Sequence, residues 1–438
     1  MQIFYSATTT LFVLLHLFSH LILISAECSS SCKENSANDV NRTNLSDGNS
    51  LEEAVIDAIL KQSKINSRVE LRHFEIPKIT KNMLKNISSV IISIDFQSNK
   101  ITEIENGSFD EMSKKLEKID LMENCLRKIT KHIFSDDFSE LQEINLSFNA
   151  INSIEAGSFD RFIKLSSIDL SNNCVKHLHS NLFRQNDALR EVHLQHNEIT
   201  KIEFHVLALK AELNIFDLSY NNLDFIPQFK TKNIQHLNVS HNKLIRFDLN
   251  YEFSHKAHLE ALDASHNNIS ACAKGIRKDI VRLDLSYNQI IDLSEFPVLL
   301  NLELLQISNN KNLSDLWLEK FDERFSNLRI LNISETSIQC NEFKYLRKAF
   351  PSISISTESN FVTECRNFSS YDDHFITKII NSKHDEILMQ LKLNRSLLIT
   401  LLSILTVFVS IPIVFLLRNH CFSIKHSKTE SLIEQIEL

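Results

Sequence analysis

The sequence predicts an α/β solenoid, and three observations support this prediction. A motif of the form LxxLxLxxNxL recurs with a period of about 24 residues. In a central copy, apolar residues fall at Leu165, Ile168 and Leu170, and an asparagine follows at Asn173. The asparagine recurs at the same place in copy after copy, and pairs of cysteines flank the repeated region. Because no single copy can bury its own apolar side chains, the copies are expected to stack around one shared core.

Each copy predicts a short strand followed by a turn. The strand is indicated by alternating apolar and polar residues. The asparagine side chain can then satisfy unpaired backbone groups inside the coil. The copies begin at Ile91, Leu116, Leu141, Leu165, Leu189, Leu213, Ile234, Leu259, Ile280, Leu302 and Leu328. Their asparagines are Asn99, Asn124, Asn149, Asn173, Asn197, Asn221, Asn242, Asn267, Asn288 and Asn310.

The ends of the repeated region depart from this motif. Thr336 replaces the asparagine in the last copy, and an additional copy around Val69 has Phe74 in its place. With these, the sequence predicts about twelve coils.

The motif resembles the leucine-rich-repeat superfamily, in the longer-repeat type of extracellular receptors such as Toll-like receptors. The resemblance implies a right-handed, horseshoe-shaped solenoid with a parallel sheet on its concave side. Related receptors often carry four cysteines in each cap, whereas this chain has Cys28 and Cys32 before the repeats and Cys340 and Cys365 after them. Each pair is expected to form a disulfide that seals one end. Similar reduced caps occur in insect immune leucine-rich-repeat proteins.

The chain is expected to cross a membrane once. The apolar run at 396–417 is long enough to span a bilayer, with a buried core helix as the alternative. The apolar N-terminus predicts a cleaved signal peptide, although it lacks Lys or Arg, so an uncleaved anchor is left open. The predicted segments are 1–26, signal peptide; 27–65, flexible segment and cap helix; 66–338, repeats; 339–366, C-terminal cap; 367–395, stalk; 396–417, transmembrane helix; and 418–438, cytoplasmic tail. This arrangement predicts a single-pass type I protein of the plasma membrane.

Two further cysteines, Cys125 and Cys174, each follow a repeat asparagine and lie two coils apart. At strand spacing this is about 10 Å, which is too far for a bond between them. One interpretation is a pair of unpaired thiols near the surface. The other is an intermolecular disulfide that links two chains into a dimer.

Composition argues against catalysis and against a nucleic-acid partner. The formal net charge is −8, and the four glycines are too far apart for a GxGxxG motif or a phosphate-binding loop. The sequence also has no HExxH, paired CxxC or GxSxG motif. We therefore predict no enzyme, no cofactor and no metal site.

Glycosylation sequons indicate which part of the concave face is open to a partner. They occur at Asn41, Asn44, Asn86, Asn106, Asn145, Asn238, Asn268, Asn312, Asn332, Asn367 and Asn394. By alternation, Asn145, Asn238 and Asn332 point outward from the concave sheet, where a glycan would obstruct binding. The longest clear interval is formed by the coils that begin at Leu165, Leu189 and Leu213.

The clear interval and the row beside it predict a ligand-binding patch. The position before the repeat asparagine holds aromatic or imidazole side chains in successive coils, which are expected to stack about 5 Å apart. This row consists of His196, Tyr220, His241, His266 and Tyr287. The predicted contact residues are Asp169, Asn172, Glu191, His193, Gln195, His196, Asp217, Tyr220, His241 and His266. Ordinary solvated side chains are the alternative, and metal binding is disfavoured because no carboxylate or thiol completes a set.

These features together predict a cell-surface recognition receptor or co-receptor that binds a protein or microbial ligand. Histidines titrate between pH 5 and 8, so this binding could weaken in acidic compartments. An adhesion protein is the alternative function. A membrane-tethered enzyme is a third, against which the lack of any motif counts.

Overall fold

The computed structural model describes residues 51–64, 67–85, 91–203, 206–207, 212–226, 233–246, 258–270, 279–316 and 318–367. The predicted signal peptide, Cys28, Cys32, the transmembrane helix and the tail lie outside these residues. No helix within them is long and apolar enough to cross a bilayer.

The first coil is covered at its N-terminal side by helix α1 (Leu51–Ser63), as the sequence predicts. Val55 and Ile59 are completely buried on one face of α1. The hydroxyl of Thr80 donates a hydrogen bond of 2.8 Å to the Glu52 carboxylate at the start of α1. The same hydroxyl accepts from a backbone N–H of the short helix α2 (Lys81–Leu84). Thr80 therefore joins the cap helix to the first coil.

The main sheet has 13 parallel strands in chain order, with one strand from each coil. Its strands are β1 (Arg68–Glu70), β3 (Ser93–Asp95), β5 (Lys118–Asp120), β7 (Glu143–Asn145), β9 (Ser167–Asp169), β11 (Glu191–His193), β13 (Glu212–Asp217), β14 (Asn233–Asn238), β15 (Ala261–Asp263), β16 (Arg282–Asp284), β17 (Leu304–Gln306), β18 (Ile330–Asn332) and β19 (Ser354–Ser356). The inward residues Ile168, Val192 and Phe216 are register partners and are fully buried. Their strand neighbours point to the opposite side, which we call the outer sheet face.

Shorter strands form a second side of the first coils. They are β2 (Lys78–Ile79), β4 (Glu103–Ile104), β6 (Lys128–Ile129), β8 (Ser153–Ile154), β10 (His177–Leu178) and β12 (Lys201–Ile202). These strands pair in parallel as β2 with β4, β6 with β8, and β10 with β12. The remaining connections include short 3₁₀ turns at Asp110–Met112 and Leu318–Lys320 and the helix α3 (Phe321–Arg324).

The repeat asparagines form a ladder that satisfies the backbone inside the coils. The amide of Asn173 donates to the carbonyl of Leu146 at 2.9 Å and to that of Leu170 at 3.1 Å, and its oxygen accepts from the N–H of Ile151 at 2.9 Å. Asn221 repeats this arrangement further along the chain. Because buried backbone groups without partners are costly, the ladder explains why the motif requires asparagine.

The C-terminal cap consists of α4 (Cys340–Ala349), β19 and α5 (Ser359–Asn367). α4 ends at Ala349, shortly before Pro351, and lies within the cap predicted at 339–366. The Cys340–Cys365 disulfide is confirmed, with the two Cα atoms 5.1 Å apart. The strand β19, which extends the main sheet through the cap, is not predicted by the repeat motif.

The interpretation of Cys125 and Cys174 as unpaired thiols near the surface is wrong, because both are disulfide-bonded. Cys174 is also buried, with 6% of its surface exposed. The alternative, a disulfide-linked dimer, stays a prediction.

Candidate functional site

A continuous stack of five rings follows the outer edge of the main sheet, at the position before the ladder asparagine. The ring centroids of His196 and Tyr220 are 4.2 Å apart, those of Tyr220 and His241 3.9 Å, and those of His241 and His266 3.9 Å. Tyr287 continues the stack at 4.0 Å from His266. Neighbouring ring planes differ by 9° to 18°. The row predicted from the sequence is thus present as what we call the ring stack.

The backbone of the repeat creates this alignment. The five residues of the ring stack have φ angles between 52° and 55°, in the left-handed region that residues other than glycine rarely adopt. The same conformation recurs at the equivalent position in other coils, for example at Phe148 with φ 52° and Asn172 with φ 54°. Identical backbone geometry in adjacent strands about 4.8 Å apart brings equivalent side chains face to face. Asn172 separates Phe148 from the ring stack.

The environment of the ring stack lowers the pKa of two of its histidines, His241 and His266. Burial lowers the pKa of His241 to about 4, and the neighbouring imidazole of His266 lowers it further, against an opposing effect of Asp263. Burial also lowers the pKa of His266 and raises that of Tyr220. The expectation that the row titrates between pH 5 and 8 is therefore wrong for His241, which would have to become charged between two stacked rings.

An acidic row runs beside the ring stack on the outer sheet face. Asp217, Asn238, Asp263 and Asp284 are register partners on consecutive strands. Burial raises the pKa of Asp284, and the nearby Asp263 raises it further, while hydrogen bonds from Ser286 lower it. Like charges directly opposite each other on adjacent strands are destabilising.

A similar pair of aspartates in the N-terminal coils has a positively charged partner, whereas the pair in the central coils has none among the described residues. Asp95 and Asp120 are also register partners, but the guanidinium of Arg72 donates to Asp95, with Nε at 2.8 Å. That contact holds the pKa of Asp95 below its usual value despite burial. Within the described parts of the chain, no cationic side chain forms an ion pair with Asp263 or Asp284. The central acidic row is therefore open to a cation from outside.

The predicted contact residues outside the ring stack lie on the same face. Asp169, His193 and Asp217 are register partners on β9, β11 and β13, and each is half-buried. Nε2 of His193 lies 3.8 Å from the Glu191 carboxylate. Gln195, also half-buried, has a side-chain oxygen that is buried without a hydrogen bond. Asn172 belongs to the left-handed row described above, so all ten predicted residues share one surface. Their role in binding stays a prediction.

The sequon asparagines differ in accessibility. Asn145, Asn238 and Asn332 are half-buried on the outer sheet face, and each side-chain oxygen accepts from the backbone N–H two residues later, as in the 3.0 Å bond from Ser147 to Asn145. The other described sequon side chains, those of Asn106, Asn268 and Asn312, are exposed.

Sequence reasoning missed a cluster on the second side of the coils. His177, His179 and Glu203 lie close enough for one ligand atom of each to fall within 4.8 Å of the others. The His-x-His pair at His177 and His179 was the available signal. The prediction that the chain has no metal ligands did not consider it.

Comparisons with known proteins identify the repeat. A family model described as "Leucine rich repeat" matches residues 139–199, and one described as "BspA type Leucine rich repeat region (6 copies)" matches residues 57–150. A comparison with curated proteins gave no significant match.

Among solved structures, the chain is similar to Toll in the Toll–Spatzle complex of Drosophila. The identity is 22% and the TM-score 0.57, over 66% of this chain and 41% of the Toll chain. It is also similar to the APL1 leucine-rich repeat domain, with 24% identity, TM-score 0.49 and coverage of 60% and 66%. A chain of the octameric complex of Latrophilin 3, Unc5D and FLRT2 matches with 18% identity, TM-score 0.48 and coverage of 67% and 90%. The likeness to Toll shows the fold alone, and the two weaker likenesses carry no argument.

The parallel sheet, the asparagine ladder and the matching repeat models at residues 57–199 define a leucine-rich-repeat solenoid. Its fold is similar to that of Toll.

Proposed function

We propose that this chain is a cell-surface recognition receptor or co-receptor that binds a protein ligand on its outer sheet face, without a catalytic domain of its own. The observation that carries the proposal is the ring stack from His196 to Tyr287. Aromatic side chains offer a large apolar contact area and lose little conformational entropy on binding, which is why they are enriched at protein interfaces. His241, at the centre of the stack, has a pKa of about 4 and stays neutral in mildly acidic surroundings.

The acidic row defines the chemistry of the partner. The unbalanced pair Asp263 and Asp284 makes the unbound surface electrostatically unfavourable, and a basic side chain of a partner would relieve it. An arginine is well suited, because its planar guanidinium can pair with a carboxylate and stack on a ring at the same time. The solved structure of Toll contains Spatzle, and this supports a protein as the class of ligand.

The proposed location is the plasma membrane, with the repeats outside the cell. The predicted signal peptide at 1–26 and the apolar run at 396–417 support a single-pass type I arrangement. If the repeats are extracellular, the exposed asparagines Asn106, Asn268 and Asn312 are the sequons most accessible to glycosylation. Digestion with an N-glycosidase and with external protease on intact cells tests this arrangement.

Binding is tested by screening a panel of tagged secreted proteins and ectodomains against cells that express the full chain. We expect His266→Ala and Asp263→Ala to weaken a selected interaction by about tenfold or more, as substitutions at central interface residues do. Phe148→Ala is the matched control, because Phe148 has the same left-handed backbone and a ring that is 46% exposed, but it lies outside the ring stack.

Two results would contradict the proposal. One is an interaction that responds equally to all three substitutions, and the other is an interaction that responds to none of them. Clumping of the expressing cells without any added protein would favour the alternative of adhesion between copies of the chain.

A further inference from the structure

Three potential metal ligands converge on the second side of the coils, away from the ring stack. β10 and β12 pair in parallel, with His177 opposite Lys201. Because Leu178 is fully buried, alternation places His177 and His179 on the opposite, solvent side of β10. The pairing also brings Glu203 beside them, with Oε1 of Glu203 3.0 Å from Nε2 of His177. The two imidazole rings lie 4.4 Å apart between centroids.

We propose that His177, His179 and Glu203 bind a transition-metal ion that prefers imidazole ligands, with Zn²⁺ as the type case. In a tetrahedral zinc site, neighbouring ligand atoms are about 3.3 Å apart. The present separations, from 3.0 Å up to the 4.8 Å limit, bracket this value. His179 is exposed, so rotation of its side chain is enough to close the set. Three protein ligands leave a fourth position for water or a group of a partner.

The Nε2 atom of His177 is available as a metal ligand. It is buried from solvent and makes no hydrogen bond, although an oxygen of the Glu203 carboxylate lies 3.0 Å away. An imidazole nitrogen and a carboxylate oxygen are both ligand atoms that zinc accepts. His179 adds a second imidazole beside them.

Glu203 combines this arrangement with a structural role that other coils share. Its Oε2 atom accepts a hydrogen bond of 3.0 Å from the backbone N–H of Ser180. Glu155 accepts in the same way from the N–H of Lys131 at 3.4 Å. Oε1 stays directed at His177.

The coil of Glu155 provides a natural control. The positions equivalent to His177 and His179 are Lys128 and Thr130 in the strand paired with β8. Glu155→Gln therefore disturbs the shared loop contact without touching an imidazole. A second control is His258→Ala, which removes a histidine whose Nδ1 lies 3.2 Å from Asp279.

The test is isothermal titration of the metal-stripped full chain with ZnCl₂, supported by thermal unfolding with and without zinc. We expect His179→Ala and Glu203→Gln to lose one zinc equivalent or to weaken it by at least about tenfold, and both controls to keep it. The thermal stabilisation by zinc should fall in the same two variants, because a ligand stabilises only the state that binds it. Ca²⁺, which prefers six to eight oxygen ligands, should not replace zinc.

Each variant is first compared with the wild type in the absence of metal. Because His179 is exposed, His179→Ala is expected to keep the apo melting temperature of the wild type. A zinc isotherm that is identical in the wild type, His179→Ala and Glu203→Gln would overturn the proposal. It would mean that His179 and Glu203 do not ligate zinc. Equal binding of Ca²⁺ would overturn the assignment to an imidazole-preferring ion.

Discussion

The ring stack makes a specific prediction about acid stability through His241. Its pKa is lowered from 6.5 to about 4, mainly because burial between Tyr220 and His266 opposes a positive charge. The unfolded chain takes up the proton near pH 6.5, whereas the folded chain resists it down to about pH 4. Acidification through this window therefore favours unfolding, and above pH 7 both states are neutral and the effect vanishes.

The size of the effect follows from the pKa difference. Each pKa unit corresponds to about 1.4 kcal/mol, so His241 could remove at most about 3 kcal/mol of stability by pH 4. Since the ring is only half-buried, we expect about 2 kcal/mol between pH 7.5 and 4.5. Replacement by phenylalanine, His241→Phe, keeps a ring in the stack and removes the titration. Phe148 already occupies the equivalent left-handed position, so the backbone tolerates this side chain.

The assay is urea unfolding of the wild type and His241→Phe at a series of pH values, followed by circular dichroism. The wild type should lose about 2 kcal/mol more than the variant on acidification, and the pKa of His241 can be measured directly with ¹³C-labelled histidine. Tyr287→Phe changes the same stack without removing an imidazole and should follow the wild type. Parallel pH profiles for the wild type and His241→Phe would refute the argument.

Three further predictions concern the solenoid and its cap. Burial raises the pKa of Glu342 to about 7, so the stability that its protonated form provides is complete below pH 4.5 and is lost as the pH rises through 7. Glu342→Gln should therefore raise the free energy of unfolding by up to about 3 kcal/mol at pH 8 and by little at pH 4. The control is the exposed Glu364→Gln, and equal effects of Glu342→Gln at both pH values would contradict this prediction. Asn221→Ala should lower the free energy of unfolding in urea by at least about 3 kcal/mol, because it leaves buried backbone groups unpaired. A decrease below about 1 kcal/mol would show that water replaces the hydrogen bonds of the amide. Loss of the Cys340–Cys365 disulfide, which joins residues 25 positions apart, should lower the free energy of unfolding by about 3.5 kcal/mol. An unchanged melting temperature in Cys340→Ser would contradict the prediction that this disulfide stabilises the C-terminal end of the solenoid.

The fold was largely predictable because one asparagine position in each repeat stabilises the backbone of the coils. The ladder amide satisfies carbonyls of two coils, so its periodic recurrence fixes the coil boundaries from Asn99 to Asn310. β19 escaped prediction because it follows Pro351 and has no ladder asparagine after it. The bonded state of Cys125 and Cys174 also escaped prediction, since the repeat spacing does not specify how these sulfurs are bonded.

The position of the candidate site could be predicted from the sequence, but the pKa values and side-chain contacts within it could not. Equivalent frame positions must lie side by side, which is sufficient to predict the ring stack. The low pKa of His241 depends on how closely its neighbours approach, and the sequence does not contain that distance. The cluster of His177 and Glu203 depends on the register of β10 with β12, two-residue strands that the motif does not specify.

Site-specific photocrosslinking on living cells shows directly whether the ring stack contacts a protein partner. A photoreactive phenylalanine analogue is placed at Tyr220, or at Ile163 in the connection between β8 and β9, where the side chain is 54% exposed. We expect a discrete covalent adduct with an extracellular protein from position 220. This adduct should be absent from position 163 and should be lost when Asp263→Ala is added. Adducts from position 163 with none from position 220 would contradict it.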